Sequence, residues 1–289
     1  MSAGLSGVIQ AMTSGLSMSD TAAVHTVHIA GAPPLVADYC GQGELVIFLH
    51  GIGGNRGNWR AQLATLSGRL LTVAYDTRGY GDSDDYDGPL AMRDLRSDLM
   101  RVLDHFAARQ AHLVGLSMGG MVALDFVAHY PDRVRSLVLA DTSLGPAQDF
   151  SAVEIEDFLR LRRAPLEAGQ SPVDIAASIA ASLVAPDCEL AVRRELEASI
   201  ARLHRESYLK TLDMITRHRD LTAAAVAGRP TLVIVGSEDR LTPPARVRDF
   251  AATIPGARFV EIRGAGHLSN LERPAEFNRA LRHFYTDMG

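Results

Sequence analysis

The feature that most constrains the fold of this 289-residue chain is a series of short apolar runs that alternate with segments of helical periodicity. Most of the later runs are continuously apolar, which is typical of strands buried on both faces of a parallel sheet. The first two lack that character and predict an antiparallel hairpin at one edge of the sheet. The predicted strands are Val24–Ala30, Leu35–Tyr39, Leu45–Leu49, Leu70–Tyr75, His112–Leu116, Leu137–Ala140, Thr231–Val235 and Arg258–Ile262.

Three helical patterns stand out between and after these strands. Met92–Ala108 carries apolar residues at a spacing of three to four. Met118–His129 runs from a glycine-containing turn to a proline, and Pro274–Tyr285 begins with proline in its first turn. Strands that alternate with helices indicate an α/β fold, and we predict a mostly parallel eight-stranded sheet with helices on both faces.

The alternation stops between about Leu144 and Asp220, where no strand pattern occurs and apolar residues recur at helical spacing. We therefore predict one α/β core, residues 21–143 and 221–289, interrupted by an all-helical cap, residues 144–220. Residues 1–20 are predicted to be a flexible leader. Four cap helices are expected, on the apolar positions Phe158, Leu159 and Leu161, then Ile175, Ile179 and Leu183, then Leu196, Ile200 and Leu203, and finally Tyr208, Leu212 and Ile215.

Composition and charge exclude several classes of protein. The net charge of −5 gives no basic footprint for nucleic acid or for an acidic membrane surface. No apolar run approaches the roughly 20 residues that span a bilayer. The first 20 residues lack the positive charge of a secretion signal, and Cys40 and Cys188 match neither a zinc nor a redox spacing. We expect a cytoplasmic monomer or homodimer with reduced thiols and no nucleic-acid or membrane partner.

The sharpest indication of chemistry is the run Gly115-Leu116-Ser117-Met118-Gly119-Gly120, which lies between a predicted strand and a predicted helix. A serine in a sharp strand-to-helix turn needs small neighbours because the backbone passes close to itself there. The turn exposes the hydroxyl, and the start of the helix directs N–H groups toward developing negative charge. We predict Ser117 to be a nucleophile; the alternative is a glycine-rich turn with a capping serine.

A serine hydroxyl is a weak nucleophile unless a base takes its proton and a third group orients that base. His267 follows a predicted strand on a glycine-rich loop, and Asp239 follows another strand. Their order along the chain, Ser, Asp and then His, fits a serine in such a turn. Asp141 and Glu238 are the alternative acids. Asp239 is preferred because it leads into a loop broken by two prolines, whereas Asp141 is interpreted as a carboxylate that caps a turn or a helix.

The glycine-rich run His50-Gly51-Ile52-Gly53-Gly54 follows another predicted strand. Acyl transfer passes through a tetrahedral oxyanion, and backbone N–H donors directed at it supply a large part of catalysis. We predict an oxyanion hole formed by the N–H groups of Ile52 and Met118. His50 is predicted to be structural, and a plain strand-end turn is the alternative for the loop.

Taken together, these motifs resemble those of the α/β-hydrolase fold superfamily. The resemblance runs from about Val24 to the C-terminus and includes the stretch Asp76–Asp84. Within the superfamily, the chain is most similar to the capped serine esterases and lactonases typified by 3-oxoadipate enol-lactonase. The resemblance implies the same roles for Ser117, Asp239 and His267 as nucleophile, orienting acid and base. A serine at the turn separates the chain from the branches that use an aspartate nucleophile.

We therefore predict an enzyme that cleaves a small carboxylic ester or lactone through an acyl-enzyme. No metal-ligand spacing, Walker loop or dinucleotide fingerprint appears, so that no cofactor or metal is expected. Hydrolysis of C–C bonds in ring-fission products, perhydrolysis and thioester hydrolysis use the same triad and stay open. A ligand receptor that keeps the fold is a further alternative, against which the complete set of catalytic groups argues.

Substrate selection is expected from the cap and from loops at the strand ends. Trp59, the only tryptophan, is predicted to bind substrate, with simple packing as the alternative. The cap arginines are interpreted as a solvated helix face balanced by glutamates, and pairing of one or two with a substrate carboxylate is the other interpretation. They are Arg160, Arg162, Arg163, Arg193, Arg194, Arg202 and Arg205.

Overall fold

The computed structural model describes residues 23–288, and the predicted leader, residues 1–20, lies outside the described residues. These residues form one sheet of eight strands, which confirms the predicted number. The boundaries differ from the predicted ones by at most three residues. The strands are β1 (His25–Ile29), β2 (Leu35–Cys40), β3 (Glu44–Leu49), β4 (Leu70–Tyr75), β5 (Ala111–Leu116), β6 (Val134–Ala140), β7 (Thr231–Gly236) and β8 (Arg258–Ile262).

The strand order is β1-β2-β4-β3-β5-β6-β7-β8. Strand β1 pairs with β2, and β2 with β4, in antiparallel fashion, whereas all the remaining neighbours are parallel. The predicted mostly parallel sheet with an antiparallel edge hairpin is confirmed. Strands β5 and β7 are buried along their whole length, as their predominantly apolar sequences predict. The carboxyl ends of the parallel strands therefore meet at one edge of a rigid core.

Helices cover both faces of the sheet, as predicted. The long patterns at 92–108 and 118–129 form helices, but the first ends at His105 because Ala107 adopts a left-handed φ of 50°. The helices are α1 (Arg60–Leu66), α2 (Met92–His105), α3 (Met118–His129), α4 (Pro146–Asp149), α5 (Ala152–Arg162), α6 (Ala164–Glu167), α7 (Pro172–Leu183), α8 (Leu190–Ala201), α9 (Arg205–Arg217), α10 (Pro244–Ala252), α11 (Ser269–Glu272) and α12 (Pro274–Thr286). Short 3₁₀ turns lie at Arg56–Trp59, Pro131–Arg133 and Ala223–Val226.

The chain between β6 and β7 contains six α-helices, α4 to α9, which we call the helical segment. Four helices were expected there, and the two additional ones, α4 and α6, have four residues each, too few for a periodic pattern. Helices α5 and α7 begin with reciprocal caps, in which Ser151 pairs with Glu154 and Ser171 with Asp174. The limits of the predicted cap, residues 144–220, stay a prediction.

No helix within residues 23–288 has both the length and the apolar character that crossing a membrane requires. The apolar side chains are buried instead between the sheet and its helices, in one continuous core that also includes the inner side chains of the helical segment. This arrangement fixes the segment over the core through packed side chains rather than through a flexible connection.

Candidate active site

Ser117 lies in the tight turn between β5 and α3, with φ 53° and ψ −117°. A non-glycine residue with positive φ is uncommon and is maintained only where the surroundings impose it. Here the Ser117 N–H donates to the Ala140 carbonyl at 2.9 Å, and Thr142 Oγ1 donates to the Ser117 carbonyl at 2.8 Å. Bonds from β6 and the loop after it therefore hold the turn on both sides of the serine.

The neighbouring glycines are required by the close approach of backbone segments. A Cβ on Gly115 would lie closer than 3.0 Å to the Gly119 carbonyl, and a Cβ on Gly119 would lie closer than 3.0 Å to the carbonyl of Leu49. Backbone on both sides leaves no room for adjustment. Glycine is therefore required beside Ser117 for the steric reason that the sequence analysis gave.

His267 links Ser117 to Asp239 in one chain of hydrogen bonds. Its Nε2 lies 2.9 Å from Ser117 Oγ, and its Nδ1 lies 2.8 Å from Asp239 Oδ2. An ionised carboxylate only accepts, so Nδ1 carries the proton and Nε2 is left to accept the serine O–H. The histidine is 2% exposed, and the structure brings together all three residues that the sequence singled out.

The loop after β7 fixes the Asp239 carboxylate. Oδ1 accepts the N–H groups of Leu241 and Thr242, both at 2.9 Å, and Oδ2 accepts the Thr242 hydroxyl at 2.6 Å. Thr242 Oγ1 also lies 3.3 Å from His267 Nδ1. Sequence reasoning missed Thr242, although an aspartate three residues before a threonine is a pattern that local side-chain turns use.

Burial and charge act in opposite directions on the base. Burial lowers the pKa of His267. The charge of Asp239, its hydrogen bond and the charge of Asp141 raise the pKa by more than burial lowers it, so that it lies above the ordinary 6.5. The positive charge of Arg162 opposes this rise. The imidazolium that would form after proton transfer is therefore stabilised where it is needed.

Asp141, the alternative acid, accepts hydrogen bonds from the end of β7 and from the first residue of α11, in line with the predicted capping role. Its carboxyl accepts the N–H of Gly236 at 2.9 Å, the N–H of Ser269 at 3.1 Å and the Ser269 hydroxyl at 2.6 Å. It therefore joins the ends of β6 and β7 to the start of α11. Burial and the nearby Asp239 raise the pKa of Asp141 well above its ordinary range. Asp239 is the carboxylate in contact with His267.

The predicted oxyanion donors, the N–H groups of Ile52 and Met118, belong to residues that border the same cavity as Ser117. The N–H groups of Ile52 and Met118 have no acceptor among residues 23–288, and both residues line the cavity that contains Ser117. Two backbone donors without partners beside a nucleophile are the arrangement that a developing oxyanion requires.

His50 holds the loop that contains Ile52. Its Nδ1 lies 2.8 Å from the Gly51 carbonyl, and its Nε2 accepts the N–H of Thr77 at 3.0 Å. These two partners define a neutral imidazole, in agreement with burial, which lowers the pKa of His50. His50 thus joins the Ile52 loop to the stretch Asp76–Asp84.

That stretch is fixed in turn by Arg56, whose guanidinium forms ion pairs with Asp38, Asp76 and Asp82. Asp76 is fully buried and also accepts the N–H groups of Arg56 at 2.7 Å and of Asp82 at 2.9 Å. The stretch Asp76–Asp84 supports the Ile52 loop, and none of its residues lines the cavity that contains Ser117.

A cavity of about 400 Å³, including its open mouth, lies above Ser117. Its walls come from the strand ends and from the helical segment, and they are mostly apolar, with the buried Ser143 hydroxyl left without a partner among residues 23–288. The lining residues of the helical segment are Pro146, Phe150, Phe158 and Ile215.

Trp59, the predicted substrate-binding residue, does not line this cavity. Its side chain is 1% exposed and packs with ring centroids 5.0 Å from Phe48 and 6.1 Å from Phe277. It borders a second cavity of about 310 Å³, which shares Ile52 with the first. A role for Trp59 in substrate binding stays a prediction, and packing is the role that its contacts support.

The helical segment is bonded to the loop that carries the base. The His267 N–H donates to the Leu183 carbonyl at 2.7 Å, at the end of α7. The buried Glu272 carboxylate accepts N–H groups from Ala185 at 2.8 Å, Gly266 at 3.0 Å and Leu268 at 3.3 Å. One carboxylate therefore joins both flanks of His267 to the helical segment, a contact that the sequence did not indicate.

Four of the seven cap arginines form ion pairs. Arg160, Arg163, Arg202 and Arg205 pair with Asp157, Asp213, Glu167, Asp82 and Glu206. Arg162 departs from the predicted solvated face, since it is 3% exposed and has no ion-pair partner among residues 23–288. Within the same residues, no group of three or more His, Cys, Asp and Glu side chains is placed to hold a metal ion.

Comparison with known proteins gives consistent matches. The family model of the alpha/beta hydrolase fold matches residues 44–274. 3-oxoadipate enol-lactonase 2 of Acinetobacter baylyi is 28% identical over 241 residues, which are 82% of this chain and 86% of that protein.

Two solved structures extend these matches to the fold. A thermophilic esterase from Thermogutta terrifontis, with malate bound, is 29% identical with a TM-score of 0.80, over 91% of this chain and 98% of that one. The enol-lactonase from Burkholderia xenovorans LB400 is 27% identical with a TM-score of 0.77, over 88% of this chain and 97% of that one. With its matched sequence, its eight-stranded sheet and its turn at Ser117, this chain belongs to the α/β-hydrolase fold family of enzymes.

Proposed function

We propose that the protein hydrolyses a small carboxylic ester or lactone through an acyl-enzyme on Ser117. The observation that carries the proposal is the chain of hydrogen bonds from Ser117 Oγ to His267 Nε2, at 2.9 Å, and from His267 Nδ1 to Asp239, at 2.8 Å. Relatives named as esterases and enol-lactonases support the choice of an ester or lactone bond.

In the first half of the reaction, Ser117 Oγ attacks the substrate carbonyl carbon while His267 Nε2 takes the hydroxyl proton. The carbonyl oxygen becomes an oxyanion and accepts the N–H groups of Ile52 and Met118. The tetrahedral intermediate then collapses, and the bond to the alkoxy oxygen breaks. His267 returns its proton to that oxygen, which leaves as an alcohol or, for a lactone, remains tethered to the acyl chain.

In the second half, a water molecule replaces the alcohol at His267. Nε2 takes one water proton while the oxygen attacks the acyl carbon, and the same two N–H groups bind the second oxyanion. Collapse releases the carboxylic acid and returns the proton to Ser117. Asp239 holds Nδ1–H throughout and stabilises the imidazolium in both halves. We propose this cycle for a small-molecule substrate, in a cytoplasmic enzyme that is a monomer or a homodimer.

A fluorophosphonate probe followed by peptide mass spectrometry tests the nucleophile. We expect covalent labelling at Ser117 and loss of both labelling and esterase activity in Ser117→Ala, by about 10³-fold or more. Ser143→Ala, a second serine of the same cavity, should keep the labelling at Ser117. If folded wild-type protein takes no label, or takes it at another residue, the proposal is wrong.

A panel of short acyl esters, enol-lactones and ring-fission dienoates tests the bond that is cleaved. We expect the highest kcat/KM on an ester or a lactone. A dienoate cleaved in preference to every ester and lactone would instead favour hydrolysis of a C–C bond, and perhydrolysis and thioester hydrolysis can be measured in the same assay series.

A further inference from the structure

Arg162 is a buried cation at the end of α5. Its side chain is 3% exposed, and no carboxylate within residues 23–288 forms an ion pair with it. Among the same residues its one hydrogen bond is a long one, 3.4 Å to the neutral Ser182 hydroxyl. Removing a charge from water is costly unless a partner replaces the lost solvation, and burial accordingly lowers the pKa of Arg162.

The remaining neighbours attract the guanidinium without neutralising it. Its central carbon lies 4.2 Å from the centre of the Phe158 ring, a cation–π contact, and the carbonyl end of α5 adds a partial negative charge. The other two arginines at this end of the helical segment show the contrast. Arg160 is paired with Asp157 at 2.8 Å, and Arg163 is paired with Glu167 and Asp213.

Arg162 lies next to the cavity that contains Ser117. Phe158, on whose ring it stacks, is a wall of that cavity, and the same ring borders an adjoining groove that Arg162 also lines. Leu241 and Phe150 are likewise shared by the two spaces. The guanidinium is close enough to the triad for its charge to act on the pKa of His267.

The acidic residues of the groove are already occupied. Glu154 pairs with Arg246 at 2.8 Å, and Asp157 pairs with Arg160. Arg240, the other cation of the groove, is exposed and donates to the carbonyls of Ala181 and Val184. Arg162 is therefore the buried positive charge that an incoming anion would meet beside the apolar cavity.

We propose that Arg162 binds a carboxylate group of the substrate, so that the preferred ester or lactone is one that carries a negative charge away from the carbonyl under attack. The inference rests on the proposed hydrolase function and names its substrate class. A planar carboxylate matches the guanidinium fork and supplies the missing ion pair, whereas a neutral chain would leave the cation unpaired. Arg162 would then select the substrate without taking part in bond cleavage.

Two pairs of esters that differ only by a terminal carboxylate test this proposal. The first pair is 4-nitrophenyl hydrogen glutarate and 4-nitrophenyl valerate, and the second is 4-acetoxybutyrate and butyl acetate. We expect kcat/KM of the wild type to favour the charged member of at least one pair, and Arg162→Met to lower that preference by about 10- to 100-fold. The readout is the ratio of the two kcat/KM values, because a changed charge near His267 affects both members of a pair alike.

The matched control is Arg160→Met, which removes an exposed and paired arginine from the same helix and should leave both members unchanged. Thermal unfolding of each variant confirms that it is folded. The proposal is overturned if the wild type shows no preference in either pair, or if Arg162→Met slows both members equally, which is the sign of a structural role.

Calorimetry of glutarate binding to the wild type and to Arg162→Met distinguishes failure of the carboxylate site from failure of the proposed hydrolase function. If the esters are not cleaved but glutarate binds at least 10-fold more weakly to Arg162→Met, the hydrolase proposal fails and the carboxylate site stands. If esters are cleaved with no charge preference and glutarate binds equally to both proteins, the hydrolase proposal stands and the role of Arg162 falls.

Discussion

Ser117, His267 and Asp239 each occupy a position that is determined by bonds outside the triad. Ser117 is held with φ 53° by Ala140 and Thr142, and His267 is held through its backbone by Leu183. Asp239 accepts two N–H groups and one hydroxyl besides its bond to the base. Because these contacts are made within the protein itself, the reacting groups are held in position by the fold.

The pH dependence of activity is expected to follow from Asp239. His267 must be neutral to accept a proton, so that kcat/KM falls as the pH decreases through its pKa. Since Asp239 raises that pKa above 6.5, Asp239→Asn should move the acidic limb of the profile to lower pH. It should also reduce kcat by about 10⁴-fold, because an amide no longer selects the tautomer with Nδ1–H. The profile is measured with 4-nitrophenyl acetate.

Two variants serve as controls for this experiment. Glu238→Gln, at the exposed neighbour of Asp239, should leave both the limb and the rate unchanged. Asp141→Asn should have a smaller effect than Asp239→Asn, because Asp141 contacts backbone and Ser269 rather than His267. A larger loss in Asp141→Asn would show that the acid has been assigned to the wrong residue.

At the scale of elements, the turn between β5 and α3 depends on the approach of α3 to the end of β3. We expect Gly119→Ala to destabilise the protein by about 2 kcal/mol or more, because the added methyl group would collide with the Leu49 carbonyl and backbone atoms cannot yield. The free energy of unfolding in urea measures the effect.

Gly68→Ala provides the matched comparison, since nothing lies within 4 Å of the added methyl group and its φ is not left-handed. This variant should be neutral or slightly stabilising. Equal stability of the two variants would mean that the turn is less tightly packed than described.

A second element-level prediction concerns Glu272, which joins α11 to both sides of His267. We expect Glu272→Gln to lower the free energy of unfolding by about 1–3 kcal/mol, because an amide nitrogen would face backbone N–H donors. The activity should also fall, by about 10-fold, through misplacement of the base.

Glu276→Gln, at an exposed glutamate of the following helix, is the control and should change neither quantity. Measurement of kcat at several urea concentrations below the unfolding transition distinguishes the two effects. A variant with unchanged kcat and unchanged stability would contradict the role given to Glu272.

At the scale of the whole molecule, the sequence predicted what local patterns encode. Continuous apolar runs such as Thr231–Val235 located the strands, and the glycines around Ser117 located the sharp turn. Ser117 and Asp239 are 122 residues apart in the chain. They could be predicted to lie close together because both follow buried strands, and the carboxyl ends of parallel strands lie at the same edge of a sheet.

What could not be predicted depends on contacts between distant segments. The exposure of Arg162 is set by how α5 packs on its neighbours, and nothing in its sequence separates it from Arg160. The roles of Glu272 and Asp141 likewise depend on backbone N–H groups, which every residue except proline carries and no pattern distinguishes. Trp59 was predicted to bind substrate because it follows the Ile52 loop in the chain, whereas its ring packs against Phe48 and Phe277.

The bonds that join Leu183 to His267 and Ala185 to Glu272 bear on protein engineering. One way to change substrate specificity is to replace the helical segment between β6 and β7 with that of a relative. Here such a graft would also replace the carbonyl and the N–H that position the base, so that a chimera with a perfectly shaped pocket would still be slow. A successful graft must carry the end of α7 and the glutamate of α11 together, as one inherited unit.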